Sequence, residues 1–176
     1  VGGQAADWPV IEHDLSRLQA AALVREIVTA ESASFLQLGL KCELRVEPAA
    51  EELSVGLSEL SLARLVQNLL TNARQACQRA TPAGSFEAGV GVQLARQDGP
   101  TGLEIVLKVE DRGVGLPRGD VGRLFEAGVS VGPHGGSGLG LALVRGFVEQ
   151  AQGSIRARSR PGGGTSFQVT LPAWSS

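Results

Sequence analysis

Apolar positions along the chain switch repeatedly between helical and strand spacing. Leu23, Val24, Ile27, Val28 and Phe35 recur at helical spacing, which predicts a helix over about residues 18–38 that Gly39 stops. Leu40, Cys42, Leu44 and Val46 then alternate with polar neighbours as in a strand ending at Pro48, and Leu53, Val55 and Leu57 make a shorter alternation. The strongest helical signal runs over about 59–80: Leu62, Leu65, Val66, Leu69, Leu70, Ala73 and Cys77 form one stripe, with Ser58 or Ser61 as cap and Pro82–Gly84 as terminator. Phe86, Ala88, Val90, Val92 and Leu94 alternate into a turn at Asp98-Gly99-Pro100 with Gly102, and Leu103, Ile105, Leu107 and Val109 alternate back.

A glycine-rich, weakly periodic stretch follows over about 112–137, longer than an ordinary connection and of the kind that carries function. A helix is predicted over about 138–151, with Leu141, Val144, Val148 and Ala151 on one stripe, Leu139, Leu143 and Phe147 widening it, and Gly153 ending it. The last hairpin has Ile155 and Ala157 on one strand, Pro161–Gly164 as turn, and Phe167, Val169 and Leu171 on the other, with Ala173–Ser176 as a frayed tail. The sum is an α/β two-layer sandwich: a mixed, mainly antiparallel sheet with about three helices on one apolar face.

Composition adds three constraints. With 176 residues, 43% hydrophobic and 19% charged, the chain is a globular domain with a real core. Its net charge of −2 gives no pull toward nucleic acid. Cys42 and Cys77 lack metal-ligand spacing and read as buried thiols of a reducing compartment, and no run reaches the roughly 20 apolar residues of a spanning helix. The chain begins at Val1 and contains no methionine, so a piece of a longer cytoplasmic protein, whose parent can be membrane-anchored, is expected, with residues 1–20 as a linker or the end of a preceding dimerisation helix and 21–174 as the domain.

Glycine is the informative outlier, with 24 residues clustered near 113–115, 132–140 and 162–164. Four short motifs carry the candidate chemistry. On the strong helix, Asn68 and Asn72 are one turn apart and share a face; an amide oxygen suits Mg²⁺, although two polar residues at a helix boundary need no ligand. Asp111-Arg112-Gly113-Val114-Gly115 follows a strand, where a carboxylate can accept from an exocyclic amine and glycines admit a flat ring, or simply turn the chain. Gly135-Gly136-Ser137-Gly138-Leu139-Gly140-Leu141 runs into a helix start, whose free N–H groups form an anion site. It is neither a Walker loop nor a dinucleotide fingerprint, since no Gly-Lys-Ser/Thr follows and no strand directly precedes it. Gly162-Gly163-Gly164-Thr165 opens the last strand and by itself is a hairpin turn.

In this order and spacing, the four motifs resemble the N, G1, G2 and G3 boxes of the sensor histidine kinase catalytic domain, and Leu124-Phe125-Glu126 resembles its F box. The resemblance spans about residues 21–172. It implies the Bergerat ATP-binding sandwich shared with gyrase B, Hsp90 and MutL. It implies Asn72 as Mg²⁺ ligand, Asn68 and Gln75 beside the phosphates, and Asp111 reading the adenine amino group with Thr165 nearby. It further implies Gly113, Gly115 and Leu116 in the adenine pocket, Phe125 at the lid, and Gly136, Ser137, Gly138, Leu139, Gly140 and Leu141 around the phosphates, with about 116–137 as lid.

The cofactors implied are ATP and Mg²⁺, and the reaction is γ-phosphoryl transfer to a histidine on a separate dimerisation domain. The partners implied are that domain within a homodimeric parent and a response-regulator receiver domain, with this piece itself monomeric. ATPases and serine kinases of the superfamily carry a glutamate base where this chain has Asn68, which cannot take a proton. Two readings therefore stand beside the kinase: a base-dependent superfamily ATPase or serine kinase, and a nucleotide-binding module without transfer.

Some features depart from the family. Many members have a phosphate-contacting lysine at the position of Gln75, and Arg74 points about 100° away around the helix. Arg112, Arg118, Arg123 and His134 are candidate replacements, though each also reads as a solvated loop residue. His13 is a poor phosphoacceptor, because no two-helix hairpin fits between it and the domain. Arg156, Arg158 and Arg160 alternate on one strand, as an outward sheet face or a docking surface.

Overall fold

The computed structural model describes residues 18–80, 89–116, 121–128 and 139–175. The elements follow in the order β1 (Leu18–Gln19), α1 (Ala20–Gln37), β2 (Lys41–Val46), β3 (Leu53–Val55), α2 (Glu59–Ala80), β4 (Gly89–Gly99), β5 (Gly102–Asp111), α3 (Gly140–Gln150), β6 (Ser154–Ser159) and β7 (Thr165–Ser175). Short 3₁₀ turns occupy Pro48–Ala50 and Val121–Phe125. The predicted Phe86 and Ala88 positions and the Pro82–Gly84 terminator lie outside the described residues.

The strands form one seven-stranded sheet in the order β1-β3-β7-β5-β4-β2, with β6 on the edge of β7 that β3 continues. Among the described residues only β2 and β4 run parallel, and the other paired strands are antiparallel. Val90, Val92 and Leu94 of β4, Ile105, Leu107 and Val109 of β5, and Phe167, Val169 and Leu171 of β7 all turn to one face and are buried. Helices α1, α2 and α3 cover that face, with Val24, Leu65, Val66, Leu69 and Val144 fully enclosed. The expected two-layer α/β sandwich with a mixed sheet and three helices is what forms. Among the described residues no helix is long and apolar enough to cross a membrane.

Local chemistry fixes the element ends. Ser58 caps α2: its Oγ accepts from the Ser61 N–H at 3.1 Å. α1 closes with Leu40 N donating to Phe35 O and Gly39 N to Leu36 O, with Gly39 at φ +70°. α3 closes the same way, through Gly153 N to Val148 O and Gln152 N to Glu149 O, but the left-handed residue is Gln152 at φ +56° and not Gly153. Gly153 is small for another reason: a Cβ there would collide with Thr170 O.

Four expectations need correcting. The tail Ala173–Ser175 is a strand end paired with β3, and the Trp174 ring lies over Gly56. Leu139 and Leu143 do not widen the buried stripe of α3; they are 50% and 46% exposed, because that helix meets the core along Val144 and Val148, with Leu141, Phe147 and Ala151 packed at the margin. β3 does not alternate: Ser54 is buried with Leu53 and Val55, because it stands opposite Gln19 and Trp174, whose larger side chains share its face. Cys77 is buried, but Cys42 on edge strand β2 is only half-buried, although burial and the nearby Glu31 and Glu43 still push its thiol up to about 11.

Candidate functional site

Helix α2 is the spine of the site. Its buried stripe of Leu62, Leu65, Leu69 and Ala73 anchors it to the sheet, which fixes the rotation that brings Asn68, Asn72 and Gln75 to the margin, each half-buried. The Asn68 amide donates from Nδ2 to the Arg64 carbonyl at 2.7 Å. That bond turns its Oδ1 toward the start of α3, where a Cβ on Gly140 would lie 2.7 Å from it. One turn on, Asn72 Nδ2 is enclosed and has no hydrogen-bond partner. Arg74 points away from this face and meets Glu31 of α1 at 3.8 Å.

Strand β5 ends at the other end of the spine. Asp111 is 1% exposed, and its Oδ1 accepts two backbone N–H bonds, from Gly113 at 2.8 Å and Thr165 at 3.2 Å. Burial raises its pKa above the ordinary carboxylate range, and those two backbone donors work against the rise. The chain after Asp111 passes so close to α2 that a Cβ on Gly113 would overlap the Ala76 backbone and Cβ, and Val114 N donates to Ala76 O at 3.2 Å. The glycine turn before β7 closes the same corner: Gly164, at φ +90°, leaves no room for a Cβ against the Asp111 carbonyl. Gly115 is at φ +77° beside Gly164.

The structure thus brings Asp111, Gly113, Gly115 and Thr165 together at Ala76, and Asn68 together with Gly140, with Asn72 between on the same helix. Leu116 and Leu141 are half-buried and pack on the core. Phe125 is a core residue whose ring meets Phe167 edge-on at 6.4 Å and 84°. Leu139 is the residue before α3 and supplies no side-chain cap. Gly136, Ser137 and Gly138, like His13, Arg118 and His134, lie outside the described residues.

Two contributors escaped the sequence reading. Ala76 is the surface on which Gly113 rests; its small side chain one turn after Asn72 was the available signal. Arg160 donates from Nη1 to the Asp111 carbonyl at 2.9 Å and lies 3.6 Å from Glu110, bracing the corner from outside. Its place in the alternating arginines had suggested only a surface role.

The family model for histidine kinase-, DNA gyrase B-, and HSP90-like ATPases matches residues 58–175. The chain belongs to this family. Its relatives place it on the histidine kinase side. The alginate biosynthesis sensor protein KinB of Pseudomonas aeruginosa is 34% identical over 151 residues, covering 84% of this chain and 23% of KinB. The sensor histidine kinase CitA of Klebsiella pneumoniae is 36% identical over 138 residues, covering 77% of this chain and 24% of CitA. The chain therefore spans about a quarter of the length of these curated relatives.

The solved mycobacterial sensor histidine kinase MprB superposes with a TM-score of 0.71 at 26% identity, over 89% of this chain and 95% of that one. Full-length ShkA in complex with AMPPNP shares the fold, with a TM-score of 0.72 at 24% identity over 88% of this chain and 30% of that chain. The sandwich is the Bergerat fold of histidine kinase catalytic domains.

Proposed function

We propose that this chain binds Mg·ATP along the exposed margin of α2 and donates the γ-phosphoryl group to a histidine on a separate dimerisation domain. The observation that carries the reading is the alignment of the site on one helix. The buried Asp111 carboxylate and its glycines meet α2 at Ala76, and the start of α3 meets it at Asn68, eight positions away or about 12 Å along the axis. An adenine at the first end would present its amino group to Asp111, and the phosphates would run toward the N–H groups at the start of α3.

The residues fit the ion as well as the nucleotide. Asn72 has an enclosed amide with one terminal atom unsatisfied. Turning that amide over places Oδ1, a hard donor suited to Mg²⁺, at the same point. Bound there with the phosphates, Mg²⁺ would supply charge neutralisation of the transferring group. On this reading Gly136, Ser137, Gly138 and Leu139 surround the phosphates through backbone N–H groups.

Asn68 supports a phosphoryl donor over a hydrolase. Its nitrogen is committed to Arg64 O and its oxygen faces Gly140, so nothing at this position abstracts a proton from water. A histidine acceptor needs no such base: its imidazole nitrogen forms the N–P bond as the P–O bond to the leaving ADP breaks. What the chain supplies is positioning. The phosphoryl group would then pass to an aspartate of a response-regulator receiver domain, in a parent that dimerises through the acceptor domain.

The test mixes this chain with a separately purified two-helix dimerisation domain of a sensor histidine kinase and γ-labelled ATP. Acid-labile label is expected on the dimerisation domain, and Asn72→Ala is expected to remove it. Label on this chain itself, or rapid phosphate release without any acceptor, would overturn the division of labour.

A further inference from the structure

The sheet face away from the helices carries a charge pattern that the nucleotide site does not use. Strand register places Arg45 opposite Gln93, Gln93 opposite Lys108, Lys108 opposite Gln168, and Gln168 opposite Arg156. Residues directly opposite point to the same side, so these five side chains form one rung across β2, β4, β5, β7 and β6. With strands about 4.8 Å apart, the rung is about 19 Å long, with cations about 10 Å apart and an amide in each gap.

The neighbouring rungs hold a depression open. Gly89 and Gly91 put no side chain on this face, and around Gly91 there is open space to 4 Å. The result is a trough of about 800 Å³ whose walls include Lys41, Arg45, Lys108, Arg112 and Arg160, against only Glu43 and Glu110. Glu110 is already held, at 2.8 Å from Lys108 and 3.6 Å from Arg160. Among the described residues Lys41, Arg45, Arg112, Arg156 and Arg158 have no ion-pair partner. A chain of net charge −2 thus concentrates unpaired positive charge on one face.

We propose that this outer face is a docking surface for an acidic protein segment. Cations spaced about 10 Å apart with amides between them suit carboxylates carried on a polypeptide, whose backbone the Gln168 amide can pair, while the Gln93 amide already donates to the Glu47 carboxylate at 3.3 Å. Nucleic acid fits less well. No aromatic side chain stands on the rung to stack a base, and Glu43 and Glu110 interrupt the phosphate-sized neighbours. A lone phosphate would engage one cation of the rung and leave the others unused.

The proposal does not depend on the nucleotide reading, and ADP binding measured on the same samples keeps the two apart. The probe is a fluorescein-labelled oligoglutamate, titrated with the whole chain and followed by anisotropy. Salt-sensitive binding is expected, and Arg45→Glu/Lys108→Glu/Arg156→Glu should weaken it by about tenfold or more. The control Arg25→Glu/Arg96→Glu/Arg145→Glu makes the same charge change on other surfaces and should weaken it by less than about twofold.

If the rung variant loses its far-ultraviolet dichroism, Arg45→Gln/Lys108→Gln/Arg156→Gln replaces it, with about a threefold loss expected. Equal losses in both triples, no oligoglutamate binding by the parent chain, or tighter binding of a single-stranded oligonucleotide would each overturn the proposal.

Discussion

Asp111→Asn separates stability from binding. In the folded chain the carboxylate is enclosed, and its Oδ1 receives two backbone N–H bonds, from Gly113 and Thr165. An asparagine can accept both through its own Oδ1 and carries no charge to desolvate, so the fold should be as stable as before, or up to about 1 kcal/mol more stable. The proposed adenine contact fares differently. A hydrogen bond to a charged group contributes about 1.5–3 kcal/mol, so ADP affinity should fall by about 10- to 150-fold.

The pH dependence carries the same logic. Burial raises the folded pKa of Asp111 above its unfolded value, so its contribution to stability is fully present below the unfolded pKa. It is lost as pH rises through the raised folded value. Binding runs the other way, because the adenine amine needs the ionised form. ADP affinity should therefore weaken as pH falls through that raised value, and Asp111→Asn should flatten the dependence. Urea unfolding across pH, with ADP calorimetry on the same samples, measures both. A variant that loses stability and keeps its ADP affinity would refute the assignment and leave Asp111 as a corner brace only.

The close approach of Gly113 to Ala76 makes Gly113→Ala costly, by about 3 kcal/mol or more in urea unfolding, whereas Gly91→Ala, which meets open space, should gain about 0.5 kcal/mol. Similar small effects at both positions would mean the corner is looser than described. Gln152→Gly should add about 1 kcal/mol, read as a rise of about 2–4 °C in thermal midpoint, because Gln152 sits at φ +56°, where glycine carries no Cβ penalty.

The hydrophobic pattern carried most of the fold because each element has one buried face. β4, β5 and β7 alternate cleanly, and α2 has a single stripe, so period and face could be read together. The reading weakened where tertiary context decides. Ala173–Ser175 looked like a tail because nothing local says that β3 lies alongside. Leu139 and Leu143 looked like core because α3 continues the apolar spacing past the contact its neighbours offer. At the site, Asn68, Asn72 and Asp111 stood out by residue type and position. Ala76 and Arg160 did not, since their work is to carry Gly113 and to brace a carbonyl, roles that any small or basic residue could signal.

The two ends of the site are fixed on a single hydrogen-bonded helix, and this makes α2 a ruler. The interval from Asn68 to Ala76 cannot stretch the way a loop does, and each added residue would advance the far end by about 1.5 Å and swing it by about 100°. One inserted residue between Asn72 and Ala76 would leave every side chain in place by name while turning Asn72 and the Gly113 corner onto different faces. Length variation in this chain therefore belongs in the connections around α2 and not within it. The phase of one helix, more than any single contact, determines whether both ends can act on the same molecule.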